Sequence, residues 1–161
     1  MTTFYFDINK ILDKVETAAL YRARNIKDRT PDFAELSIVD AKDFLKDQLR
    51  YIAAKIFDTE FSQYPPVADP AVEPFEFDVT YDGNPDHIVY RCSFPAGYNS
   101  SLHTATLHAI ENALVKYVVM EWIKSANYDY RQDQADYEKA MDDIRSLVAR
   151  RKNLKRTYHL Y

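Results

Sequence analysis

The chain has 161 residues, 47% of them apolar, 29% charged and 14% aromatic, with a formal net charge of −4. That balance fits one globular domain with a real core and excludes an intrinsically disordered chain, and the acidic sum argues against a general nucleic-acid binder. A single cysteine, Cys92, rules out an intrachain disulfide and a multi-cysteine zinc site, and points to a reducing, cytosolic compartment.

At the N-terminus, Met1 to Asp7 shows no basic segment followed by an apolar run, so no signal peptide is expected. Asp7 reads as a helix N-cap, with Phe6 and Ile11 placed as a hydrophobic staple. Ile8, Ile11, Leu12, Val15, Ala19 and Ile26 then recur at helical spacing, which predicts a helix over about 8–27. Asp28 to Asp32 is turn-rich. Ser37-Ile38-Val39-Asp40 is a weak capping box, and Ala41, Leu45, Leu49, Ile52, Ile56 and Phe57 share one face of a second helix ending near Phe61. Lys42, Asp43, Lys46, Asp47 and Arg50 lie largely off that face, as a solvated surface does.

The stretch from Tyr64 to Pro74 holds four of the seven prolines and reads as a loop or extended spacer. Phe75, Phe77, Val79 and Tyr81 then alternate with polar residues. Beyond the Gly83 turn, Ile88, Tyr90, Cys92 and Phe94 form the apolar half of a second alternation. The two runs predict a β-hairpin at about 75–94, whose aromatic face needs helices, another strand or another copy of the chain to cover it. Asn99 to Ser101 supply cap residues for a long helix over about 102–124 that is apolar nearly all round and hence central to the fold. Its longest apolar stretch, 113–123, is broken by Lys116 and Glu121 and is too short and charged to span a bilayer. Asn127-Tyr128-Asp129 ends it. A last helix starts near Tyr130, acidic early and basic late, as the helix dipole favours. The predicted architecture is mainly α, a bundle of about four helices in the order α-α-β-hairpin-α-α, within one domain over 1–161.

Motifs for chemistry are scarce. Two glycines, Gly83 and Gly97, are too few for a phosphate-cradling loop or a G-x-S-x-G elbow. His103 and His108 stand about 140° apart on their helix and cannot chelate one metal from it. His108 and Glu111 can meet on one helix face, but catalysis needs a further positioned partner and a pocket. Asp133, Asp136, Asp142 and Asp143 read as exposed, and Cys92 as a buried, inert thiol. No catalytic, cofactor-binding or metal-ligating residues are assigned, and no enzyme activity is expected. Thirteen tyrosines fit either a core edge or an interface. The basic set Arg150, Arg151, Lys152, Lys155 and Arg156 fits either a solvated helix end or an electrostatic contact. The tail that follows, with Tyr158, Leu160 and Tyr161, is too apolar for an undocked one.

The pair of helices from Ala109 to Arg156 carries Met120-Glu121-Trp122-Ile123-Lys124, a short break, then Tyr130-x6-Tyr137-x3-Met141-x2-Ile144-Arg145 and Arg150-Arg151. Over roughly the last third of the chain this resembles small head–tail connector, or neck, proteins of tailed bacteriophages and prophages. Those are mostly helical proteins with a hairpin or extended loop between helices. The resemblance implies a structural subunit that assembles into rings between portal and tail, in the bacterial cytoplasm or the virion. It implies no catalytic residues and no cofactor. Self-association and contact with other virion-type proteins are then expected, with no membrane, through Phe75, Phe77, Tyr81 and Tyr90 of the hairpin and through Arg150, Arg151, Lys155, Arg156, Tyr158 and Tyr161. The alternative is a small regulatory or nucleic-acid-binding helical module that uses the basic last helix. A third reading is an enzyme built on His108 and Glu111.

Overall fold

The computed structural model describes residues 2–24, 39–67, 84–94 and 100–150. Its elements run β1 (Thr2–Asp7), α1 (Ile8–Arg24), α2 (Val39–Glu60), β2 (His87–Cys92), α3 (His103–Ser125) and α4 (Arg131–Ala149), with a 3-10 turn at Ser100–Leu102. The architecture is mainly α, four helices with one two-stranded antiparallel β element. No described helix is long and apolar enough to cross a membrane.

The helix signals in the sequence act as expected. The Asp7 carboxylate accepts hydrogen bonds from the backbone N–H groups of Asn9, at 3.0 Å, and Lys10, at 3.3 Å. These are two of the donors that every helix N-terminus leaves without a helical partner. Phe6 and Ile11, the expected staple, are both buried in the same core. At the other end of the bundle Asn127 takes a left-handed φ of 59°. Its N–H bonds the Lys124 carbonyl, and the Tyr128 N–H bonds the Ile123 carbonyl. That is a Schellman ending, with asparagine in the position glycine usually fills. It stops α3 and turns the chain back so that α4 packs against it.

Among the described residues the sheet has a partner strand that the sequence pattern did not name. β2 is the second of the two expected strands, and it pairs antiparallel with β1, from Thr2 opposite Cys92 to Asp7 opposite His87. The segment ahead of Asp7 is therefore a strand as well as a helix lead-in. It alternates as strands do, with Phe4 and Phe6 buried and Tyr5 exposed. Along the other edge of β2 the Val67 N–H bonds the Arg91 carbonyl at 2.9 Å, and Pro66 bridges Cys92. The proline-rich segment thus begins as an extended run beside the sheet. The expected first hairpin strand, 75–81, lies outside the described residues.

One continuous core takes side chains from both strands and all four helices. Its aromatic part is Phe4, whose ring centroid lies 5.9 Å from that of Phe57 and 5.3 Å from that of Phe61. Tyr90 stacks on Phe57 at 4.1 Å with the rings 6° from parallel. Central α3 packs on α1, α2, α4 and β1. Nine of its residues are buried, from Thr106 to Ile123, which explains the lack of a single apolar stripe. The Thr106 hydroxyl is satisfied within the helix by the Leu102 carbonyl, at 2.8 Å.

Candidate functional site

α1 and α4 both pack on α3, and an open groove of roughly 600 Å³ lies between them. Val119 of α3 and Ala18 of α1 are among its apolar lining, and Asp13, Lys14, Lys116 and Asp136 among its charged residues. At one end it is closed by an ion pair. Arg22 Nε donates to Asp133 Oδ1 at 2.9 Å and Oδ2 at 3.1 Å, while Nη2 donates to Oδ2 at 3.0 Å and to the Asp129 carbonyl at 3.3 Å. Asp133 is buried, which corrects the expectation that this carboxylate is exposed. Its position three residues into a strongly polar helix hides it in sequence, because its partner lies on α1. The bond to Asp133 raises the Arg22 guanidinium further above its ordinary range. Next to it, Asp129 accepts from the Arg131 side chain and backbone N–H, which hold its carboxyl down at about 2.

The Thr17 hydroxyl donates to the Asp13 carbonyl at 2.9 Å, within its own helix. The charged rim is also engaged across helices. Lys14 meets Glu111 at 2.7 Å and Lys116 meets Asp136 at 3.9 Å. His108 stands 3.9 Å from that same Glu111, with its side chain 74% exposed. The His108–Glu111 pair therefore exists, but on an open helix face, with the carboxylate bound more closely by Lys14. His103 lies inward, its ring 4.9 Å from that of Phe4. Among the described residues no group of three or more His, Cys, Asp or Glu side chains could hold a metal ion.

The residues expected at interfaces fare unequally. Tyr90 is not a surface residue of this chain: it is 2% exposed, stacked on Phe57, and its hydroxyl donates to the Tyr64 carbonyl at 2.9 Å. Burial pushes its phenol up to about 12. Tyr90 is buried with Ile88 and Cys92 of the expected apolar face, which α2 covers, and Val89, expected on the opposite face, is buried as well. Cys92 beside it is fully buried, as expected. Arg150 is exposed at the end of α4. Arg145, one turn earlier, is tied to Glu60 of α2 at 3.1 Å and to Asp142 at 2.9 Å. Phe75, Phe77, Tyr81, Arg151, Lys155, Arg156, Tyr158 and Tyr161 lie outside the described residues.

Large side chains that sequence reading passed over occupy the surface instead. Tyr21 is 70% exposed, and Phe44 and Tyr51 are each 60% exposed. Phe44 and Tyr51 sit seven residues apart on α2, about 120° around the helix from the core-facing Leu45, Leu49, Ile52 and Ile56. A helical wheel of α2 carries that signal, since both aromatics fall among the charged residues rather than the apolar ones. Compared with known proteins, the chain matches no family model, no curated protein and no solved structure.

Proposed function

We propose that this chain is a non-enzymatic assembly subunit that works through protein–protein contacts, of the head–tail connector type that its C-terminal third resembles. The observation that supports the reading is the exposure of Tyr21, Phe44 and Tyr51 on regular helices. Scattered surface aliphatics are ordinary. Large aromatics set in a charged helix face are the type enriched where proteins meet, because they supply much apolar area at little entropic cost. The open groove beside Tyr21 adds a concave surface of mixed charge.

The test is the mass of the chain in solution by light scattering over a concentration series. A discrete multimer, or growth in mass with concentration, is the expected result. A strict monomer at every concentration counts against an assembly role for the free chain.

A further inference from the structure

The groove between α1 and α4 has its cations already in use. Lys14, Arg22 and Lys116 line it, and they meet Glu111, Asp133 and Asp136 respectively. The carboxylate of Asp13, on the same rim, is exposed and meets no cation among the described residues. The charge left over is therefore negative. Tyr21 stands on this side of α1, 70% exposed, and Ala18 and Val119 supply apolar lining. Such a groove suits a segment that brings cations and large apolar side chains together within a few residues. The chain contains one. From Arg150 to Tyr161 it has five bases and no acid, and Lys155 and Arg156 stand just ahead of Tyr158, Leu160 and Tyr161. We propose that the groove receives residues 150–161 of a second copy, with the bases at the Asp13 rim and the aromatic and aliphatic side chains beside Tyr21. The inference rests on the assembly reading and names both halves of one contact.

The two kinds of group do different work. Rim charges steer and orient a partner and add little affinity, whereas apolar rings taken out of water supply most of it. The groove also lies beside the first turns of α4, and the segment leaves from the far end of that helix. From Asp136 to Arg150 is about 21 Å at the helical rise. Giver and receiver are thus separate surfaces of one molecule. Each copy gives one segment and takes one, so the contact runs head to tail and either closes into a ring or grows as an open chain. The same segment, at most about 36 Å long when extended, reaches back that far within its own chain as well, and the experiment separates the two cases.

Sedimentation of the full chain over a concentration series tests this. The unaltered chain is expected to associate. Two double variants each remove one half of the contact: Asp13→Lys, Tyr21→Ala on the groove, and Lys155→Glu, Arg156→Glu on the segment. Each alone should associate roughly tenfold more weakly or worse. The groove variant should keep its circular dichroism spectrum, because Asp13 and Tyr21 are exposed. Mixed in equal amounts, the two variants should form a one-to-one pair that grows no further, since one intact groove meets one intact segment. Association that either variant leaves unweakened overturns the groove contact and leaves the assembly reading standing. Variants that are weak alone and stay apart when mixed overturn the pairing of groove with a second copy's segment, as docking within one chain does. A chain that is monomeric throughout overturns both the contact and the assembly reading.

Discussion

At the residue scale, Tyr90 shows how burial turns an interface candidate into a pH sensor of stability. Its phenol is held neutral by the surrounding core, so its folded-state value of about 12 lies above the ordinary value of 10.0. A group whose folded value is raised contributes stability that is fully present below the unfolded value and is lost as pH rises through the folded one. Unfolding free energy should therefore start to fall near pH 10 and keep falling to about pH 12. Tyr117 and Tyr137 are shifted the same way by burial, so Tyr90→Phe should shrink that loss without abolishing it. Denaturant titrations at several alkaline pH values measure this directly; an unchanged slope in the variant would show that Tyr90 does not carry the effect. Two other residues mark the limits of sequence reading at this scale. Asp7 was legible as a cap because its partners are two and three residues away. Asp133 was not, because the guanidinium that lets it be buried is 111 residues away on another helix.

At the element scale, all four helices were legible, to within a residue or two at most of their described ends. Their apolar spacing, caps and breaks are local quantities. β1 was not. Thr2 to Asp7 alternates, but it is short, and its partner strand is β2, 86 residues further along at the Phe4–Tyr90 pair. No local pattern encodes that pairing, and the Phe75–Tyr81 run offered β2 a nearer expected partner. β1 matters to the whole core through Phe4, which is fully buried and touches rings from α2, the segment after β2, and α3. Phe4→Ala should cost about 3–5 kcal/mol, the range for truncating a buried Phe in a core that cannot collapse around the gap. Urea unfolding provides the measurement. A loss below about 1 kcal/mol would mean that β1 sits on the core without being part of it.

At the scale of the whole molecule, four ion pairs tie one helix to another: Lys14 to Glu111, Arg22 to Asp133, Lys116 to Asp136 and Arg145 to Glu60; others, such as Lys124 to Glu121 and Arg145 to Asp142, run along a single helix. The exposed ones add little stability each, but together with the buried Asp133 pair they help fix how neighbouring helices sit. That leaves the outer face of α2 and the groove between α1 and α4 as shaped surfaces of a well-determined body. The candidate contact residues were only partly legible, because the sequence shows which residues are aromatic and not which face ends up covered. Tyr90 went inside, while Phe44 and Tyr51 stayed out. The segment from Arg150 to Tyr161 remains the other proposed contact. Truncation after Asn153 should impair association and leave helix content nearly unchanged, as read by light scattering beside circular dichroism. Collapse of the helical signal would instead make the tail part of the core.

The pairing of the first strand with β2 also sets an order of events during synthesis. β1 leaves the ribosome well before β2, and its full pairing has to wait until Cys92 has been made. Until then Phe4 and Phe6 have no sheet to join, while α1 and α2 can already wind from local signals alone. The nascent chain therefore carries Phe4 and Phe6 unpaired with β2 while the residues between Asp7 and His87 are made, a period in which unpaired strands are prone to mispair or to meet a chaperone.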